Sequence, residues 1–296
     1  MTTKNQELAA RTYQKQFKGL LQAVFKKQAF FADFFGGGIE ALDGVQHNKT
    51  AFSVKTSDIP VVVGQNYITD ADVAFGTGTS NSNRFGERKE IIYNDTDVPY
   101  TWGWTFHEGI DRFTVNNDLS AAVADRLDLQ AQAKTQTFNG QHSKFISSVA
   151  SQTEALTDYA SDKVLALFNK LSKHYINIQA VGVKVANVNS DLYNAIVDHP
   201  LTTTGKNSTA NIDENGILRF KGFVINETPD DLFQEGEIAY VYIQGVGKAF
   251  TGINTARTIE SEDFDGIALQ GAGKAGEFIL DDNKPAVVKV TKTTTP

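Results

Sequence analysis

Apolar positions spaced by three and four residues open the chain. Tyr13, Phe17, Leu20, Leu21, Val24, Phe31 and Phe35 fall on one face of a helix predicted over residues 6–35. Gly36-Gly37-Gly38 ends that pattern. An aromatic amphipathic helix set off by three glycines suits docking, either on its own domain or on a neighbouring copy. Residues 50–56 and 59–63 read as strands, through Phe52 and Val54 and then through Val61-Val62-Val63. A polar stretch follows, with a tip at Gly76–Gly86 rich in Gly, Ser, Asn and Thr, before Ile91-Ile92-Tyr93 resumes strand character. The pattern describes a long two-stranded excursion. An isolated ribbon of this kind is marginally stable in water, so it needs support from outside itself.

The clearest periodicity comes next. Tyr100, Trp102, Trp104 and Phe106 alternate with Thr101, Gly103 and Thr105, which puts four aromatics on one strand face. That face needs cover from a helix or second sheet, and Trp102 and Trp104 are read as structural core in preference to a ligand platform. Asn117 or Asp118 is placed to cap a helix running to about Ala150, with Leu119, Val123, Leu127, Phe138, Phe145, Ile146 and Val149 as its apolar positions. Such a helix spans about 45–50 Å, and Gly140 marks a candidate bend. A second helix is predicted from Asp162 to about Tyr175. Beyond it come short elements: a strand at Val181–Val185, a helix at Ser190–Val197, a polar loop at Leu201–Asn215, and strands at Ile217–Ile225 and Ile238–Ile243. Residues from Thr258 onward read as loop, then as strands at Phe278–Leu280 and Ala286–Val290. The fold class is α+β, and no internal repeat is present.

Composition narrows the chemistry. The 296 residues include no cysteine, which excludes disulfides, thiolate metal sites and a cysteine nucleophile and suits a reducing compartment. No apolar run approaches the roughly 18 residues of a membrane helix, and the N-terminus has no signal-peptide core. The net charge of −7 argues against simple coating of nucleic acid. Charge is uneven, however. Residues 1–35 hold six basic side chains against Glu7 and Asp33, so this segment is +4 and the remainder −11. A basic arm on an acidic body fits docking on another copy, and equally a solvated helix with excess lysine.

Several motifs look chemical and fall short. His107-Glu108 begins like a zinc-protease helix, but Asp111 stands where the second histidine belongs. Gly271-Ala-Gly273-Lys274-Ala-Gly276 resembles a phosphate cradle, yet Ala268 replaces the first glycine and Ala275 the magnesium-binding hydroxyl, so a tight turn is expected. Asp230-Asp231 and Asp281-Asp282 read as solvated loop acids. The remaining histidines are scattered. No catalytic residue, metal ligand or cofactor site is therefore assigned.

The order of parts resembles one family. Arg84-Phe-Gly-Glu-Arg-Lys-Glu-Ile-Ile-Tyr93, Val98-Pro-Tyr-Thr-Trp-Gly-Trp-Thr-Phe-His-Glu-Gly109 and Asp265-Gly-Ile-Ala-Leu-Gln-Gly-Ala-Gly-Lys-Ala-Gly276 are similar to major capsid proteins of siphovirus-type tailed bacteriophages. Their fold is shared by tailed-phage and herpesvirus shells. The resemblance implies an N-terminal arm (1–36), a peripheral domain (37–56, 94–159 and 254–296) holding the spine helix, an extended loop (57–93) and an axial domain (160–253). It implies a non-enzymatic subunit forming hexamers and pentamers of an icosahedral shell around double-stranded DNA, in a virion assembled in the bacterial cytoplasm. Portal and possible decoration proteins are implied partners. Some relatives carry a cleaved assembly domain ahead of the arm, and Met1 stands almost at the arm here, so a separate scaffolding protein is expected. Arg84, Glu87, Arg88, Lys89 and Glu90 form a mixed-charge cluster on the return side of the loop, expected to meet a neighbouring subunit. A bacterial nanocompartment shell, a binding module and an enzyme are the other classes open to this sequence.

Overall fold

The computed structural model describes residues 28–42, 50–61, 63–64, 67–69, 84–85, 89–115, 118–203, 211–212 and 218–293. Along the chain the strands and helices are β1 (Ile39–Ala41), β2 (Thr50–Thr56), β3 (Asn94–Pro99), β4 (Trp102–Asp111), α1 (Leu119–Val149), β5 (Gln152–Leu156), α2 (Ser161–Asn177) and β6 (Lys184–Val188). They continue as α3 (Ser190–Val197), α4 (Pro200–Thr203), β7 (Asn211–Ile212), β8 (Leu218–Phe220), β9 (Phe223–Glu227), β10 (Glu237–Ile243), β11 (Gly247–Glu260), β12 (Gly266–Ile279) and β13 (Val287–Lys292). The chain forms two units, residues 47–100 and residues 1–46 with 101–296.

The smaller unit is built on one antiparallel pair, β2 with β3, in which Phe52 stands opposite Val98 and Val54 opposite Thr96. Thr56 and Thr96 hydroxyls lie 3.1 Å apart, and Lys55 pairs with Asp95 at 3.6 Å. The expected strand at 59–63 is absent among its described residues, and Ile91-Ile92-Tyr93 precede the ladder instead of joining it. The reason lies in the partner strand: β2 ends at Thr56, opposite Asn94, so residues before Asn94 have nothing to pair with there. The loop tip at Gly76–Gly86 lies almost wholly outside the described residues.

The larger unit centres on a seven-stranded sheet ordered β5-β13-β10-β6-β9-β8-β7. Its strands alternate faithfully. Ala186, Val188, Ala239, Val241, Ile243, Val288 and Val290 face one core with Val164, Phe168 and Leu171 of α2 and Leu192 and Ile196 of α3. Val185, Tyr240, Tyr242 and Val287 face the other, with Ile146 of α1 and Phe31, Phe34 and Phe35. Burial on both faces is why β10 reads as a nearly continuous apolar run. The sheet draws β5 and β13 from outside the 160–253 interval expected for the axial domain.

A second sheet is ordered β1-β11-β12-β4. Here the expectation of a loop from Thr258 and a tight turn at Gly271–Gly276 is wrong. Apart from the connection at 261–265, those residues lie inside the 14-residue strands β11 and β12, paired from Gly247↔Ile279 to Glu260↔Ile267. The glycines stand opposite aromatics of β4: Gly271 against Phe106 and Gly273 against Trp104. A Cβ at Gly271 would meet the Phe106 ring at 2.1 Å, and one at Gly273 the Trp104 ring at 2.4 Å. The aromatic rings fill the space a Cβ would take at these glycines, which explains a strand without side chains of its own at those positions.

Other expectations shift by a few residues. The Val181–Val185 strand begins at Lys184, and Ile217–Ile225 is not one strand but a hairpin, β8-β9, turning on Lys221 and Gly222 with φ of 52° and 84°. Two consecutive left-handed residues make the tight turn that suits strand twist. Helix α1 runs unbroken through Gly140, and Asp118 stands at its N-cap without a side-chain bond. The helix expected over 6–35 falls mostly outside the described residues. Its last part, 30–36, is a set of turns closed by bonds such as Phe34 N to Phe31 O at 3.1 Å.

Candidate assembly surfaces

Within the unit of residues 47–100, large apolar side chains are left to solvent. Val61, Val63, Tyr67, Phe85, Ile91, Ile92 and Tyr93 are between 52 and 89% exposed. Exposed apolar surface on this scale marks a contact surface. Arg84, expected to be a solvated charge awaiting a neighbour, already has work in its own loop. Its guanidinium donates to Ile68 O at 3.1 Å, Ile68 N donates to Arg84 O at 2.9 Å, and Tyr67 and Phe85 meet edge to face at 5.2 Å. These contacts tie the two sides of the excursion together. Lys89 and Glu90 are exposed, while Glu87 and Arg88 lie outside the described residues.

In the larger unit, the alternating aromatics of β4 face α1. Trp102 and Phe138 rings meet at 4.7 Å, Trp104 stacks on Phe106 at 6.0 Å, and the Lys134 ammonium lies 4.0 Å from the centre of the Trp104 ring. Burial pushes the Lys134 pKa down. The contact with α1 is not sealed: Trp102 and Trp104 are only half-buried, and a cavity of about 330 Å³ opens beside Trp104, Phe106, Leu127 and Lys134. The Trp104 indole N–H is buried there with no acceptor among the described residues.

Polar side chains unmarked in the sequence lock these elements together. Glu277 of β12, almost fully buried, accepts from the Trp102 indole N–H at 3.0 and 3.2 Å and from Thr101 Oγ1 at 3.3 Å. His142 Nδ1 of α1 lies 3.0 Å from the same carboxylate. A carboxylate only accepts, so Nδ1 carries the proton. Asn139 grips the start of the described chain, accepting from Phe30 N at 3.2 Å and donating to Gln28 O at 2.8 Å. Asp33 accepts from Asn226 and Gln244, and Asn187 donates to Phe30 O. Phe31, Phe34 and Phe35 therefore dock on their own subunit. Burial pushes the Glu237 carboxyl up, but bonds from Lys289, Tyr240 and Ser147 outweigh it and hold the carboxyl below the ordinary range.

The histidine and acidic motifs serve the same purpose. Glu108 is held by a two-pronged bond from Arg126 of α1, at 2.5 and 2.7 Å, and that bond keeps its carboxyl below the usual glutamate range. His107 meets Gln270, itself held by Arg257, as a cross-strand row. Among the described residues, no three His, Asp or Glu side chains gather as a metal site would require.

No protein-family model and no curated protein sequence matches the chain. Solved structures do. The capsid structure of the cyanophage P-SCSP1u superposes with a TM-score of 0.64 at 11% identity, over 92% of this chain and 90% of the other. The mature capsid of bacteriophage PhiM1 gives 0.61 at 9% identity, over 92 and 89%. A structure from Mycobacterium phage Che8 gives 0.55 at 15% identity, over 81 and 83%. The chain has the fold of tailed-phage capsid subunits. On that capsid fold, α1 is the spine helix, and the resemblance read from the sequence is one of architecture, retained at identities too low for sequence matching.

Proposed function

We propose that this chain is a major capsid protein, a structural subunit that assembles with itself into hexamers and pentamers of an icosahedral shell enclosing phage DNA. The observation that carries this reading is the agreement of fold over 92% of the chain with capsid subunits. Physical features support it. The two-stranded unit exposes apolar side chains that no isolated subunit keeps wet without cost. The polar bonds described above, from Glu277, Glu237 and Glu108 among others, serve to brace the subunit. A net charge of −7 suits a shell that holds DNA without adhering to it. In this reading residues 57–93 reach a neighbouring subunit, with Arg88, Lys89 and Glu90 among the contacts. The segment 160–253 surrounds the capsomer axis, and a scaffolding protein and a portal guide closure in the host cytoplasm. Negative-stain microscopy of the protein, expressed alone and with the neighbouring gene products, tests it. Shells or capsomer rings are expected; monomers under both conditions would overturn the reading, and shells filled with a protein cargo would move it to a nanocompartment.

A further inference from the structure

Beyond Thr251 the outer edge of β11 is long and, among the described residues, pairs with no strand. β1 pairs with it only at Ala249–Thr251, whereas β12 pairs along the other edge to Glu260. The register with β12 is unbroken from Asn254↔Gly273 to Glu260↔Ile267, and Ser261 N donates to Gly266 O at 3.0 Å just beyond it. Bonded and non-bonded pairs alternate along an antiparallel ladder. The N–H and C=O of Thr255, Arg257 and Ile259 therefore point toward β12, and those of Ala256, Thr258 and Glu260 point outward. All six residues are exposed, and no described strand pairs with this stretch. The stretch holds neither proline nor lysine, the residues that usually guard an edge.

The smaller unit holds the complementary element. Lys89–Tyr93 precede β3, belong to no strand and are exposed, although Ile91, Ile92 and Tyr93 are strong strand formers. Lys89 and Glu90 offer charges opposite in sign to Glu260 and Arg257, which favours this segment over an apolar stranger. We propose that Lys89–Tyr93 of one copy adds as a strand to the free edge of β11 in a second copy. This deepens the shell reading and rests on it. Main-chain bonds to Ala256, Thr258 and Glu260 supply the attachment, and Ile259 and Ile91–Tyr93 supply apolar cover.

Proline separates the two edges of the strand. Thr258→Pro removes one outward N–H and leaves the ladder with β12 intact, so the subunit should fold and melt like the parent yet lose assembly, while Thr258→Val assembles. Because the chain has no cysteine, the pairing is also read by cross-linking. Separately prepared Thr258→Cys and Ile92→Cys proteins, mixed before assembly and treated with a bismaleimide, should give a cross-linked heterodimer in particles, and a Lys163→Cys partner should not. Particles from Thr258→Pro equal to those of the parent, or no heterodimer above the Lys163→Cys control, would overturn the edge pairing while leaving the shell reading standing. Failure of the parent chain to assemble at all would remove both.

Discussion

Replacing Glu277 with alanine strikes the point where three elements converge. The carboxylate accepts the Trp102 indole N–H from β4 and faces His142 Nδ1 from α1, both at 3.0 Å, with Thr101 at 3.3 Å. Its side chain is 4% exposed and that of His142 8% exposed, so water cannot easily replace the lost acceptor. A hydrogen bond to a charged group is worth about 1.5–3 kcal/mol, and removing one member of a buried charged cluster costs about 3–5 kcal/mol. For a chain of this size each kcal/mol moves the melting temperature by about 2–4 °C, so Glu277→Ala should melt about 6–20 °C below the parent. Glu277→Gln keeps, in its amide oxygen, an acceptor for both the Trp102 indole and His142 Nδ1, and should cost only about 1–2 kcal/mol. Both tryptophans lie on β4 beside this cluster, so thermal melts followed by tryptophan fluorescence report it directly. An alanine variant melting within about 2 °C of the parent would refute the claim that this carboxylate holds α1 to the sheet.

Trp104→Ala should cost about 2–3 kcal/mol by the same melts, less than a sealed aromatic site, because Trp104 is half-buried beside a cavity; an unchanged melting temperature would show that the face is not structural. Gly266→Ala should destabilise more than Gly273→Ala, since its Cβ would meet the Ile110 carbonyl oxygen at 2.0 Å, whereas the Trp104 ring over Gly273 has the cavity to move into; the reverse order by thermal melts would contradict this. Replacing Gly76–Gly86 with a short turn, or Arg88 with Glu, should leave circular dichroism unchanged and abolish shell closure, since loop closure entropy changes slowly with length; normal particles from either would remove the loop from the assembly. The hydrogen bond from Arg126 keeps Glu108 below its ordinary pKa, so its stabilisation is full above the unfolded glutamate value and fades as pH falls through the lowered one. The melting difference between the parent and Arg126→Met should accordingly shrink on acidification, and a difference constant with pH would contradict it.

The parts of this fold that rest on local periodicity were legible. Helix α1 announces itself through apolar residues from Leu119 to Val149, and β4 through aromatics alternating with small residues. What could not be read locally was structure completed by a distant segment. β12 carries Gly271-Ala-Gly-Lys-Ala-Gly276, which resembles a turn because the side chains covering those glycines belong to β4, more than 160 residues away. The burial of Glu277 and His142 is likewise created by contact across 135 residues, and neither residue type signals it alone. The aromatic face of the arm was visible, but not whether it served its own subunit; the Asn139 clamp and the buried Phe31, Phe34 and Phe35 decide that for residues 28–35. Conversely, Ile91-Ile92-Tyr93 has the composition of a strand without a partner strand among the described residues, and Arg84, read as a free charge, is a rung of its own loop.

The central claim, that this chain builds a closed shell from copies of itself, is tested most directly by electron cryomicroscopy of particles from cells expressing it with the neighbouring gene products. The account predicts an icosahedral shell in which every five- and six-fold cluster is this chain, with residues 160–253 at the cluster axes and residues 57–93 over a neighbouring copy. A chain that stays monomeric in those cells, or that occupies a tail or fibre position in the particle, would contradict it.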